Sequence, residues 1–282
     1  MVNYKPWRIC LKMQIKPNRL FMISGGRTTV NLSNLSDILI GLVFFLIFFL
    51  LVLGFTLMGK KRPARSLQEI PAYIHLRRLA GLSVEAGTRL HVSLGRGGII
   101  GLKGGVAMVG LAVLDRVARA AMISDRPPLA TSGESTLSIL SQDGFRNAYR
   151  AANSEAQFNP DSGRLTGLTP LSYAAGVMTL PKDEQISTHI LIGNFGSEAA
   201  LIAEAAERNG SQVVAGSDQP AAQAVLYATA TDPLIGEEVY AGGAYLSNST
   251  AHIASLRAQD ILRWLIILAI ITGAALKLVG WL

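Results

Sequence analysis

Seven residues are best placed by type and spacing to do chemistry: His91, Gly95, Gly97, Gly98, Gly193, Gly196 and Glu198. A membrane-bound enzyme, or a sensor of a nucleotide or other small molecule, would draw on this set. The run Gly95-Arg96-Gly97-Gly98-Ile99-Ile100-Gly101 follows a strand-like RLHVSL and precedes a helical stretch. Glycines in that position let backbone N–H groups approach a pyrophosphate at a helix N-terminus. The match to a dinucleotide fingerprint is poor. The spacing is GxGGxxG, Gly104-Gly105 intervene before the helix, and the acid expected about twenty residues on would be Asp115, inside a predicted helix. A tight turn between packed layers accounts for these glycines better.

Three further turns share this character: Ser132-Gly133-Glu134-Ser135, Gly193-Asn194-Phe195-Gly196-Ser197-Glu198 and Gly216-Ser217-Asp218. In the second, Ser197 is expected to cap the next helix, and Glu198 suits the positive end of its dipole. Ser217 and Asp218 read the same way before Gln219-Pro220, and a phosphate at either turn would compete with the carboxylate. His91 and His189 fall on predicted strands, where a histidine is expected to be a hydrogen-bonded core residue. There is no Ser-His-Asp order, no HExxH and no nucleophile elbow. Glu237-Glu238 with the two histidines would be the barest metal set, but consecutive residues on a helix diverge by about 100°. Neither a metal nor a cofactor is expected, and no catalytic constellation is present. Cys10 is the single cysteine, which excludes an intrachain disulfide and a cysteine-built zinc site.

The elements that must hold these residues alternate in type. Helical patterns cover 69–86, 105–123, 135–154, 172–178, 197–208 and 220–230, and strand patterns cover 89–94, 129–131, 186–192 and 212–215. The apolar residues Ile70, Ile74, Leu76, Leu79, Leu82 and Val84 mark the first helix, and Met108, Leu111, Leu114 and Val117 the second. Asp232 and Pro233 favour a helix start for 234–246, and the turn-rich Asn159–Gly167 reads as a surface hairpin or loop. Strands alternating with helices predict right-handed βαβ units. The expected fold class is α/β, three-layer and Rossmann-like, with a mostly parallel sheet inserted between two transmembrane helices. Ligands in such sheets sit beyond the carboxyl ends of the strands.

Charge and hydropathy place the domain. Of 282 residues, 50% are hydrophobic, 16% are charged, and the net charge is +7. Residues 1–27 carry six basic residues and no acid, and residues 28–65 carry four against Asp37. The rest of the chain is left with 16 basic and 18 acidic residues, close to neutral, so no basic face is available for nucleic acid. Ile38–Met58 is 21 residues without a charge, long enough for a membrane helix and followed by Lys60-Lys61-Arg62. Ile261–Leu282 is a second such stretch, with Trp264 and Trp281 near its ends.

The expected organisation is a basic tail (1–37), a first transmembrane helix (38–58), a cytoplasmic α/β domain (59–248), and a helix continuing into the second span (249–282). Lys60, Lys61, Arg62, Arg65, Arg257 and Arg263 flank the domain side, which favours a two-pass inner-membrane protein with the domain in the cytoplasm. The basic tail opposes that orientation, and a start at Met22 would remove the conflict. Expected partners are the bilayer, further copies of the chain or other membrane proteins, and a small-molecule ligand.

Four stretches together carry a resemblance: RLHVSLGRGG, LIGNFGSEAALIAEAAERNG, IGEEVYAGGAYL, and Arg257–Arg263 running into the last span. They are similar to an uncharacterised prokaryotic membrane-protein family known only as a domain of unknown function. The resemblance covers most of 66–265 and implies no activity, ligand or catalytic residue. The functional expectation is therefore a membrane-anchored accessory, binding or scaffolding protein. The alternative is a membrane-bound enzyme or small-molecule sensor using the strand-end loops.

Overall fold

The structure, a computed structural model, describes residues 32–59, 69–100, 104–122, 124–247 and 250–280. The expected basic tail up to residue 31, the flank Lys60, Lys61, Arg62 and Arg65, and Gly101 lie outside the described residues. So does Trp281.

α1 (Leu32–Gly59) is one helix, and its Ile38–Leu57 stretch is long and apolar enough to cross a membrane. The elements that follow build the α/β domain around six parallel strands. They are α2 (Pro71–Glu85), β1 (Arg89–Gly95), α3 (Gly104–Ala121), β2 (Leu129–Ser132), α4 (Ser135–Ala151), β3 (Gly163–Leu165), α5 (Pro170–Met178), α6 (Leu180–Asp183), β4 (Ile186–Asn194) and α7 (Ala199–Arg208). The chain continues through β5 (Gln212–Ser217), α8 (Pro220–Thr229), β6 (Asp232–Leu234), α9 (Gly242–Ser247) and α10 (Thr250–Val279).

The strand order is β3-β2-β1-β4-β5-β6, every pair parallel. The chain winds outward from β1 to β3, returns to the centre, and winds the other way from β4 to β6. This is the doubly wound order of dinucleotide-binding folds, and its switch point lies between β1 and β4. The α/β class follows the alternating patterns, and the sheet, expected to be mostly parallel, is parallel throughout.

Alternation along each strand divides the core into two layers. Leu90, Val92, Leu94, Ile190, Ile192 and Val214 join Tyr73, Val113, Leu114 and Phe145 on the face covered by α2, α3, α4 and α9. Leu129, Leu191, Val213 and Ala215 join Tyr173, Ile202 and Leu226 on the face covered by α5, α7 and α8. Small residues set how closely the helices lie. A Cβ on Gly110 of α3 would stand 2.4 Å from the Ile192 carbonyl oxygen.

Several local expectations change. Asp232 and Pro233 do not open a helix: they form β6, an edge strand, where a proline costs no ladder bond on its outer side. Gly163–Leu165, expected in a loop, pairs with β2 as the opposite edge. Neither run is long enough to show a period, so only its neighbour reveals the strand. In α2 the buried stripe is Tyr73, Leu76, Leu79 and Ala80, while Ile74 and Leu82 are exposed. In α3 it is Val106, Val109, Val113 and Val117, while Met108 is exposed.

α10 is unbroken, as expected of the run from the domain into the last span. Ile253, Ala254 and Ala258 are buried against the domain. Beyond Ala258 the described side chains are exposed or half-buried, and Thr250–Leu278 is the second helix long and apolar enough to cross a membrane. Arg263 ion-pairs with Glu237 where the helix leaves the domain.

Candidate functional site

The carboxyl ends of β1, β4 and β5 converge on a cleft of about 590 Å³ at the switch point. Its polar lining comes from Arg96, Ser197, Glu198 and Gln219. Of the seven residues singled out in the sequence, Gly196 and Glu198 line this cleft and the others do not.

The glycines at the neighbouring ends of β1 and β4 are packing devices. β1 and β4 stay paired through Gly95 and Asn194, with a register shift after Ser93. Gly95 has φ +70°, and a Cβ there would meet the Asn194 carbonyl oxygen at 2.5 Å. A Cβ on Gly193 would lie 2.1 Å from the Leu94 carbonyl oxygen, and one on Gly97 2.5 Å from Asn194 Cβ. These positions let two strand ends touch where the chain diverges. The space a pyrophosphate would need beside them is filled by Asn194. Gly98 has nothing within 4 Å of its Cβ position.

Glu198 sits at the N-terminus of α7, as its charge suggests. Ser197 does not cap that helix: its first amides close tight turns instead, with Ala199 N–H donating to Gly196 O and Ala200 N–H to Ser197 O. The Glu198 carboxylate folds back over Gly196, whose Cβ would be 2.5 Å from Oε2. Glu198 is only 7% exposed, and its Oε1 has no hydrogen-bond partner. The Arg96 Nε lies 3.5 Å from that oxygen, within ion-pair range, and is itself without a hydrogen bond. Arg96 lies across the strand ends, its stem over Gly133 and its Nη1 donating to the Leu168 carbonyl at 3.3 Å.

Gln219 of the lining is held by Asn194, which also bonds Asp218. Asn194 Nδ2 donates to Asp218 at 2.7 Å, and Gln219 Nε2 donates to Asn194 Oδ1 at 3.0 Å. Ser217 Oγ accepts from Phe195 N–H at 3.2 Å. Sequence reasoning passed over Arg96, Asn194 and Gln219. The available signal was their position in the first residues after three strands whose ends prove adjacent.

His91 and His189 lie elsewhere. They pair in register on β1 and β4, pointing to the same face, and both are fully buried. A chain of hydrogen bonds links them. His189 Nδ1 and His91 Nδ1 are 2.9 Å apart, His91 Nε2 and Thr131 Oγ1 2.9 Å, Thr131 Oγ1 and the Tyr173 hydroxyl 3.0 Å, and that hydroxyl and Ser93 Oγ 2.5 Å. One N–H on each ring satisfies the chain; the far nitrogen of His189, Nε2, has no partner. Burial holds His91 well below its ordinary pKa, helped by the charges of His189 and Arg164, and burial alone brings His189 down to about 3. Both rings are therefore neutral, and His91 does not reach the cleft. Replacing Tyr173 with Phe strips this chain of the hydroxyl that serves Ser93 and Thr131. The expected cost is about 1–3 kcal/mol of stability, read from denaturant midpoints.

Glu237 and Glu238 stand apart from both histidines, on a 3-10 turn spanning Gly236–Ala241. Among the described residues no group of three or more His, Cys, Asp or Glu is placed to hold a metal ion.

Fold and site together define a doubly wound α/β domain with a polar cleft at its switch point, in a chain that also has two helices apolar enough to cross a membrane. The chain belongs to the family described as Domain of unknown function (DUF6754), whose model matches residues 28–282. Neither the curated proteins nor the solved structures contain a match to it.

Proposed function

We propose that this protein is a two-pass membrane protein whose α/β domain faces the cytoplasm and binds a small molecule at the switch-point cleft, as an accessory or sensing component. The observation that carries this reading is Glu198: a charged side chain, nearly fully buried, lining a cleft, with an oxygen that makes no hydrogen bond and has only a long ion pair to Arg96. A buried acceptor without a donor costs about 1–3 kcal/mol. A ligand that supplies the donor recovers that cost. The enzyme reading is weakened because both histidines are engaged in the core. α10 packs on the domain before its apolar stretch, so a ligand that favours one packing over another would bias that helix. Its partners would be copies of the chain or other membrane proteins; the near-neutral charge of residues 66–282 argues against nucleic acid.

The full-length protein, purified in detergent and then denatured, is expected to release a small molecule detectable by mass spectrometry. Glu198→Ala is expected to release none while keeping its far-UV circular dichroism. Equal release from both would remove the cleft from the proposal. Orientation rests on the Lys and Arg residues flanking the spans. Reporter fusions after residue 65 are expected to report from the cytoplasm, and fusions at the C-terminus from the other side. A domain reporting from outside would reverse the topology.

A further inference from the structure

We infer that the ligand of this cleft is a free α-amino acid with an apolar side chain, held as a zwitterion between Glu198 and Arg96. The inference rests on the reading of the cleft as a ligand site and goes on to name the ligand's chemistry.

A nucleotide or phosphate is disfavoured at the three turns that follow β2, β4 and β5. Helix N-termini attract anions through free N–H groups and the dipole, but here the chain has filled them with its own carboxylates. Glu134 caps α4, its Oε2 accepting from Leu137 N–H at 2.9 Å and its Oε1 from the Thr136 hydroxyl at 2.8 Å. Glu198 occupies the start of α7, whose first amides are already bonded. Asp218 stands before α8, fixed by Asn194. A phosphate would meet a negative charge at each of these turns.

What the cleft offers instead is one anion and one cation, each incompletely satisfied. Glu198 Oε1 and Arg96 Nε are both buried, 3.5 Å apart, and neither makes a hydrogen bond. An ammonium group donating to Glu198 and a carboxylate accepting from the Arg96 guanidinium would replace this long ion pair with two charge-assisted hydrogen bonds, once the two side chains part to admit them. Charge-assisted bonds of this kind are about twice as strong as neutral ones. A zwitterion is also the ligand that leaves the neutral Arg–Glu pair neutral. The remaining wall is apolar, made by Pro170, Leu171, Leu201 and Ala221. Leu171 is 69% exposed, so its side chain has free surface on which an apolar ligand group can pack.

Isothermal titration of the full-length protein in detergent tests the assignment, with L-leucine, L-methionine and L-phenylalanine as probes. Leucinamide and 4-methylpentanoate serve as analogues lacking one charge, and inorganic phosphate and AMP as anions. The expected result is saturable binding of at least one of the three amino acids. The analogues should bind about tenfold or more weakly, because each leaves a buried charge without its partner. Glu198→Gln should bring the amino acid's affinity down to that of 4-methylpentanoate, which lacks the ammonium group. Arg96→Gln should abolish the preference for leucine over leucinamide. Equal binding of leucine and leucinamide by the unmodified protein overturns the assignment, whatever the variants do. Binding of AMP or phosphate instead overturns it but leaves the cleft a ligand site. If no probe binds and the purified protein releases nothing, both readings fail together.

Discussion

Gly193→Ala is expected to destabilise the protein by about 3 kcal/mol or more, or to prevent its folding. The new Cβ would stand 2.1 Å from the Leu94 carbonyl oxygen. That atom belongs to the backbone of β1, which is held on both sides by β2 and β4 and covered by helices on both faces. It cannot move without breaking ladder bonds. Gly98→Ala is the matched control. Nothing lies within 4 Å of its Cβ position, so its stability should stay within about 1 kcal/mol of the unmodified protein. Denaturant titration of both variants in detergent, followed by circular dichroism, gives the comparison. The two glycines belong to superficially similar glycine-rich stretches, Gly193 near the end of β4 and Gly98 in the turn after β1. If they served a bound cofactor alike, both substitutions would leave the fold intact. A Gly193→Ala protein as stable as the original would overturn the packing account.

The second large effect is the pH dependence of stability. His91 and His189 are neutral in the folded state, well below the ordinary value and at about 3 respectively. In the unfolded chain both take up a proton near pH 6.5. Above that pH neither state binds the proton, and the histidines cost nothing. As pH falls below about 6.5, the unfolded chain binds protons that the folded chain refuses. Stability then drops by about 1.4 kcal/mol per pH unit for each ring. For two rings the loss between pH 7.5 and pH 5 comes to about 4 kcal/mol. The contribution of His189 levels off only near its folded pKa of about 3. His189→Asn keeps a hydrogen-bonding group near His91 Nδ1 and removes one titration, so it should halve the slope. An unfolding free energy that is flat from pH 7.5 to 5 would show that the pair is not held neutral.

Much of the architecture was legible because its cause is local. The period of apolar residues marked α3, α4 and α7, and ISTHILI marked the central strand. Alternation of the two predicted a parallel sheet, since parallel neighbours need a crossover. The histidines were correctly expected in the core, because each is flanked by apolar residues on a strand. β3 and β6 were missed: three residues have no readable period, and each is a strand only because β2 or β5 lies beside it. Which face of α2 and α3 is buried was not legible for a related reason. In a largely apolar helix the sequence permits several buried faces, and the sheet chooses one.

The site divides along the same line. Residue type and dipole logic placed Glu198 at a helix N-terminus. They could not say that its carboxylate is buried over Gly196 or that it faces Arg96, 102 positions earlier in the numbering. The sequence by itself determined the fold class, the two long apolar helices and the near-neutral charge of the domain, because these follow from composition and short-range period. Tertiary structure alone decided the strand order, and with it the switch point. That order brings the ends of β1, β4 and β5 together, pairs His91 with His189, and sets the Glu198 carboxylate against the Arg96 guanidinium in a loose ion pair beside one cleft. The reason is physical: pairing between distant strands is paid for by the burial of the whole sheet, and no stretch of local sequence carries that sum.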